Sequence, residues 1–285
     1  MSKLYIVATP IGNLGDVSKR TLDVLNECDL ILAEDTRHTI KLLNYFNIKK
    51  KMESYHKFNE KWKAEQIVEL IKTEDLVVCL VSDAGTPCIS DPGYEIVAFA
   101  HSNQIEVIGI PGPSAVIDAL SISGFEIDKF AFYGFLDRDN KLKEKITEIS
   151  NSNVKISVIY ESPRRVVKLV EKLAESFPNS AICICSDLTK LHERVIRGDI
   201  KEVLQKIKND ENIEKGEYVV ILQNQEVKDE NTGEAKISIE ALLVDKIMRD
   251  DCTMKEAIKK VVNEHDFSKN QVYEASLNLK TKMSN

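Results

Sequence analysis

Four short segments of this chain carry the residue types with which a protein backbone grips a small ligand. They are Thr9-Pro10-Ile11-Gly12-Asn13-Leu14-Gly15-Asp16, SDAGTPCISDPG at residues 82–93, Pro111-Gly112-Pro113-Ser114-Ala115, and Tyr160-Glu161-Ser162-Pro163-Arg164-Arg165. Glycine lets the main chain come close to a bound molecule, and proline fixes the shape of the loop that does so. Each segment follows an apolar run of strand type. Ligands of open α/β sheets bind beyond the carboxyl ends of the strands. Any one of these loops reads as a turn; four together point to a site. None has the G-x-G-x-x-G or G-x-x-x-x-G-K-[ST] spacing that cradles the phosphates of dinucleotides and nucleoside triphosphates. The expected ligand is held by backbone amides and carbonyls and brings no phosphate.

The elements that must position these loops alternate along the chain. Residues 4–9 and 29–33 read as strands around an amphipathic helix that starts after Ser18, a good N-cap. Residues 76–82 (LVVCLVS) are an unbroken apolar run, the mark of a strand covered on both faces. A further strand at 105–111 lies between helical stretches at 94–102 and 114–122. This β-α-β-α rhythm predicts a mostly parallel sheet with covering helices. Strands at 129–135, 155–160, 181–186 and 218–223, with helices at 141–149, 164–176 and 200–207, repeat the logic. The boundary between the halves is expected near 112–114, or in the helix ending at Gly124. Residues 225–238 (QEVKDENTGEAKIS) bury almost nothing and read as a linker. Amphipathic stretches at 239–248 and 254–262, then a turn before 271–279, make a small appendage with a helix-turn-helix rhythm. It reads equally well as a packing or dimer strut and as an RNA contact. Its charge, 10 basic against 12 acidic residues from 224 to 285, does not favour nucleic acid.

The 285 residues suffice for two domains and an appendage. No apolar run approaches the ~18–20 residues of a membrane span. The N-terminus runs straight into a strand pattern, so no signal peptide is expected. Six cysteines without a CxxC form neither a disulfide nor a zinc framework. Cys79, Cys183 and Cys185 read as core thiols of a reducing compartment, and the expected location is the cytoplasm. The net charge of −7 argues against a nucleic-acid binder unless basic residues cluster. They do at residues 49–63 (KKKMESYHKFNEKWK), six lysines against two glutamates, interleaved with Tyr55, His56, Phe58 and Trp62. Such a stretch suits RNA phosphates and bases. The expected contacts are Lys49, Lys50, Lys51 and Lys57, joined by Arg164 and Arg165, with Arg194 and Arg197 as a further basic group. The plainer reading is a solvated helix face with its aromatics in the core.

TPIGNLGD, AEDTRHT, SDAGTPCISDPG, PGPSA, YESPRR and LTKLHERVIRG occur in that order over residues 9–198. The set resembles the RsmI family of ribosomal RNA small-subunit methyltransferases, in the tetrapyrrole-methylase-like class of S-adenosylmethionine enzymes. The resemblance runs to about residue 225, and the tail is similar to that family's short C-terminal domain. It implies an α/β protein of two αβα domains of the tetrapyrrole-methylase type, at 1–116 and 117–224, with the cofactor in the interdomain cleft. The linker at 225–238 and a helical appendage at 239–285 would follow. It also implies a homodimer, no metal, no membrane, and S-adenosylmethionine as methyl donor. The acceptor would be the 2′-oxygen of a decoding-site cytidine in 16S rRNA or the small ribosomal subunit. Carried over by position, cofactor contacts fall on Pro10, on Asp83, Ala84, Gly85, Thr86 and Ile89, and on Ser114 and Ala115. In the second domain they fall on Tyr160 and Glu161, while Leu188 and the Lys215-Gly216-Glu217 turn would close over the adenine. Two positions depart from the pattern. Arg164 stands where the family usually has histidine, and Asp137-Arg138 follows Gly134-Phe135-Leu136 where it usually has GFLPxK. The second change removes a proline from a loop given an RNA-facing role.

Methyl transfer from a sulfonium is an in-line displacement for which the cofactor supplies the electrophile. The protein must align the hydroxyl and help remove its proton. Candidates are Glu34, Asp35, Arg37, Asp83, Glu161, and the group Lys190, His192 and Glu193, each of which serves equally well as a structural ion pair or cap. Asp35 and Glu161 are expected to position or deprotonate the hydroxyl, and Arg37 to touch phosphate or ribose. Two alternatives stand beside this: the same fold acting on a corrin-type ring or a modified protein side chain, and a non-enzymatic RNA-binding protein using the tail. Binding of S-adenosylmethionine separates the last from the others.

Overall fold

The computed structural model describes residues 2–137, 139–224, 238–250, 252–265 and 267–283. Most of the linker read at 225–238, and Arg138, lie outside the described residues. The first part runs β1 (Lys3–Val7), α1 (Lys19–Glu27), β2 (Leu30–Ala33), α2 (Thr36–Tyr45), β3 (Lys51–Ser54), α3 (Glu60–Glu74), β4 (Val77–Val81), α4 (Tyr94–Ser102) and β5 (Glu106–Ile110). Its sheet has the order β3-β2-β4-β1-β5, parallel throughout. The second part runs α5 (Ala115–Ile122), β6 (Phe130–Phe135), α6 (Asp139–Ser150), β7 (Ile156–Glu161), α7 (Val166–Ser176), β8 (Ala181–Ser186), β9 (Arg194–Asp199), α8 (Ile200–Lys208) and β10 (Tyr218–Gln223). Its sheet has the order β6-β7-β10-β8-β9. Only β6 and β7 are parallel neighbours there; β10 runs antiparallel to both β7 and β8. The mostly parallel sheet read from the rhythm thus holds for the first half, while the second is mixed.

The apolar runs have the cause expected of them. In β4, Val78 and Leu80 pack under α3 and α4 with Ile67, Ile71 and Ile96, while Cys79 and Val81 pack under α1 and α2 with Val24, Leu25 and Leu43. Both faces are covered, so no polar alternation survives. The second sheet repeats this: Ile184 and Val220 meet Leu169, Leu173 and Val203 of α7 and α8, and Cys183, Cys185, Val219 and Ile221 meet Val116 and Leu120 of α5. Helix α5 therefore belongs to the second core. The helix starts are set locally. Ser18 Oγ accepts the Thr21 N–H at 3.0 Å and starts α1. All six cysteines are free.

The chain divides into two compact units, Met1–Val227 and Lys228–Asn285. The second contains α9 (Ile239–Asp250), α10 (Met254–Glu264) and α11 (Lys269–Met283), built around Leu243, Ala257, Val261 and Val272. Thr253 and Glu256 form a capping box at the start of α10. No helix among the described residues is long and apolar enough to cross a membrane.

Candidate active site

Parallel pairing brings the carboxyl ends of β1, β4 and β5 to one end of the first sheet, with Val7 opposite Val81 and Ile110. Their loops are tied to each other. Thr9 N–H donates to the Gly85 carbonyl at 2.9 Å and Gly85 N–H donates back to Thr9 at 3.0 Å. The Thr86 hydroxyl donates to the Pro113 carbonyl at 3.3 Å. Gly85 has φ +81°, where L side chains are strained, yet a Cβ would meet Ile11 Cγ2 at an ordinary 3.4 Å. Conformation rather than space asks for glycine there. At Gly12 space decides, since a Cβ would lie 2.6 Å from Lys190 Cγ. The first loop presses on the turn that follows β8.

In the second sheet β7 and β8 end, and β10 begins, at that same side, with Tyr218 opposite both Glu161 and Ser186. Asp187 and Thr189 take φ of 52° and 66° around Leu188, an uncommon conformation for residues other than glycine. A side chain at Gly216, φ +90°, would collide with the Asp187 carboxylate. Lys190 Nζ joins Asp187 at 3.2 Å to Glu217 at 2.8 Å.

Between these loops lies a cavity of about 380 Å³, within the range of small-ligand sites. The first half contributes Ile11, Ala84, Gly85 and Thr86, then Ile89, Ser90 and Asp91, then Ser114 and Ala115. The second contributes Phe135, residues 160–163, Leu188 and residues 217–219. Ten of the residues expected at the cofactor therefore meet around one space. Four do not line it, Lys215 of the adenine-side turn among them. Pro10 leads into the loop, the Asp83 carboxylate turns back to accept the Asp35 N–H at 3.0 Å, and Gly216 lies against Asp187. Ile11, Ser90, Asp91, Ser162 and Pro163 stood inside the quoted motifs without a role. Phe135 stood in a motif noted only for its missing proline, and Tyr218 and Val219 start β10, which carries no motif.

The carboxylates differ sharply in state. Asp35 caps α2, accepting the Arg37 N–H at 2.8 Å, and its side chain pairs with the Arg37 guanidinium at 2.6 Å. That bond holds its pKa down to about 2. Neither residue lines the cavity. Asp91 does, and burial followed by the Asp83 charge raises its pKa. Burial, Asp91 and Asp83 raise Glu34 likewise. Burial and Asp91 push Tyr160 up to about 12. Glu161 is 2 % exposed; its Oε1 accepts the Ser162 N–H at 2.7 Å, while Oε2 has no hydrogen-bond partner although the Arg165 guanidinium lies at 3.1 Å. Among the described residues no group of three or more His, Cys, Asp or Glu is arranged to hold a metal ion.

The basic candidates are scattered. Arg165 donates to the Leu136 carbonyl at 2.8 Å, Arg194 pairs with Asp210 at 2.6 Å, and Arg197 lies over the Phe125 ring. Arg164 is exposed. The stretch at 49–63 is not one helix face: it contains β3, the edge strand of the first sheet. Lys51 pairs across from Leu30, at the amino ends of the strands. Lys49, Lys50 and Lys51 therefore lie a strand's length from the cavity, whereas Lys57 and Phe58 follow the carboxyl end of β3. Tyr55 is fully buried, but Phe58 is 92 % exposed and Trp62 is exposed as well. His192 is exposed, and Glu193 accepts the Thr189 N–H.

Residues 3–204 match the family of Tetrapyrrole (Corrin/Porphyrin) Methylases. Ribosomal RNA small subunit methyltransferase I of Vibrio cholerae is 39 % identical over 276 residues, 96 % of this chain and 94 % of that protein. The chain belongs to this methyltransferase I family. Its Thermotoga maritima member is 41 % identical over 226 residues, 79 % of this chain and 100 % of the relative. Solved structures share the family fold at low identity. Uroporphyrin-III C-methyl transferase from Thermus thermophilus complexed with S-adenyl homocysteine aligns with a TM-score of 0.53 at 16 % identity, covering 78 % of this chain and 97 % of that one. Cobalt precorrin-4 methyltransferase aligns with a TM-score of 0.56 at 14 % identity, covering 80 % and 96 %.

Proposed function

We propose that this protein transfers a methyl group from S-adenosylmethionine to small-subunit ribosomal RNA, at the 2′-hydroxyl of a decoding-site cytidine. The observation that carries the reading is a near-full-length likeness to relatives named for that RNA, in a chain whose first compact unit encloses a ligand cavity. The cavity suits the cofactor chemically. It offers loop backbone at Ala84, Gly85, Thr86, Ser114 and Ala115, no phosphate cradle, and a buried carboxylate oxygen on Glu161 that lacks a donor. When bound, S-adenosylmethionine supplies a methyl group on a positively charged sulfur.

Glu161 Oε2 accepts a hydrogen bond from an amine or hydroxyl of the bound ligand. Leu188, between its two left-handed neighbours, and the Glu217 turn form the opposite wall. Asp91 takes the role of proton acceptor or orienting group for the ribose hydroxyl. A base must reach the proton it removes and must hold it with fair affinity. Asp35 meets neither condition, being outside the cavity and paired with Arg37. Lys57, Phe58 and Arg164 face RNA on the cavity side, two copies of the chain form the working enzyme, and the cytoplasm is where its substrate is found.

The test uses 16S rRNA and small subunits from cells lacking the gene. Purified protein with methyl-labelled S-adenosylmethionine should place one label on the ribose of a single cytidine. Label on a base, or on another nucleotide, would overturn the 2′-hydroxyl assignment; no transfer to either substrate would overturn the function.

A further inference from the structure

The carboxyl end of β6 carries an aromatic ring that the core does not use. Phe135 lines the cavity yet is 63 % exposed. Its placement is built into the backbone. The register between β6 and β7 shifts after Phe132, Gly134 takes φ +61° in the bend, and Phe135 then lies opposite Tyr160. Such irregularities beside a site re-aim a side chain. The Phe135 ring leans on Tyr160 at 57° with centroids 5.5 Å apart, and Phe132 meets the same Tyr160 edge-on at 4.8 Å. Three rings thus form one aromatic group that ends in an open surface. Ile89, also largely exposed, lines the same cavity from the first half. The two walls adjoin there: a Cβ on Gly134 would be 3.7 Å from Ser90 Oγ, and Ser90 precedes Asp91.

A space of about 380 Å³ takes one ligand of cofactor size. A nucleotide can offer its sugar hydroxyl at the opening, but its base has to leave the RNA stack and rest outside. We propose that the open surface of Phe135, with Ile89 beside it, is the platform on which the base of the target nucleotide stacks. This rests on the reading of the protein as an RNA methyltransferase. Unstacked RNA bases are held on aromatic side chains. Stacking accepts any base, because every base has a π-face. The platform holds the sugar over Asp91 and leaves the choice of nucleotide to contacts elsewhere.

Full-length Phe135→Ala, Phe135→Leu and Phe135→Trp proteins test it. Titration calorimetry with S-adenosylmethionine alone should return affinities within about twofold of the parent. Transfer to small subunits lacking the modification should show KM raised roughly 5- to 150-fold by alanine, the range for losing one stacked base. Leucine should fail to restore it and tryptophan should succeed. A leucine variant with the parent's KM would overturn the platform, since an apolar side chain then suffices. Cofactor affinity falling in step with KM would also overturn it, because the ring would then cover the cofactor. The Ile89→Ala protein gives a second reading and should also raise KM for the RNA. A parent that transfers no methyl to RNA defeats the underlying function, whereas an active parent with unaffected variants defeats the platform alone.

Discussion

Asp91 and Asp35 look alike in the sequence, each a carboxylate in a loop after a strand. What separates them is their surroundings. Arg37 comes within reach of Asp35 because α2 begins there, while Asp91 is turned into a cavity beside Asp83, Glu34, Tyr160 and Cys88. Burial of this kind depends on distant strands and left no mark in the motif. The raised pKa of Asp91 means that the folded chain holds its proton more tightly than the unfolded chain. Stability therefore falls as pH rises through the window between the ordinary Asp value of 3.8 and the raised one. At pH 7 the ionised group works against the fold. Asp91→Asn should raise the melting temperature at pH 7, lose that gain below pH 3.8, and lower kcat by about 10²–10⁴-fold. Calorimetry at both pH values and single-turnover kinetics read this, and an Asn variant with full kcat would remove Asp91 from the chemistry. The two arginines of YESPRR divide in the same way. Arg165→Ala leaves the buried Glu161 carboxylate without its cation and should cost about 3 kcal/mol in urea unfolding. Arg164→Ala, at an exposed position, should change stability by less than about 0.5 kcal/mol.

Among the strands, the central ones were legible and two edge strands were not. β4 and β8 are covered on both faces and read as apolar runs, whereas β3 (KMES) and β9 (RVIRGD) sit at sheet edges and carry charge. Edge strands are kept polar because an apolar one recruits other chains. The lysines before and in β3 fit that duty, which divides the basic stretch in two. Lys57→Ala should make the log K against log salt line for RNA shallower by about 0.7, the value for one lost phosphate contact on a single strand. The Lys49/Lys50/Lys51→Ala triple variant should keep the parent slope and aggregate more readily. A slope reduced by about 2 in the triple variant would instead put the RNA at the amino ends of the strands.

At the scale of the whole chain, the alternation of elements announced the two-part α/β plan, but not that the second sheet would be mixed. Strand direction in that sheet is set by which strands become neighbours, and β10, last in sequence, enters between β7 and β8. The first compact unit ends at Val227, and the Thermotoga relative is complete in 226 aligned residues. A chain ending at Asn224 should keep the parent's affinity for S-adenosylmethionine and a cooperative melt; loss of either would make the C-terminal helices part of the cofactor unit. Light scattering of the full chain at micromolar concentration should return twice 32.2 kDa, and a particle of 32.2 kDa would leave the enzyme a monomer.

The place of β10 also sets a timetable for the newborn chain. A ribosome adds about 5–20 residues per second. From Ser186, where β8 ends, to Gln223, where β10 ends, is 37 residues (223 − 186), or roughly 2–7 s of synthesis. Throughout that interval β7 and β8 have no strand between them, and their apolar borders face whatever else is in the tube or the cell. The first sheet has a wait of its own, since β4 enters between β2 and β1 and ends 48 residues (81 − 33) after β2 does. That sheet is complete, however, once Ile110 is made. Nascent chains that have released β7 and β8 but not β10 should hold a finished first half beside a sticky second one, and should aggregate more readily than chains that have passed Gln223.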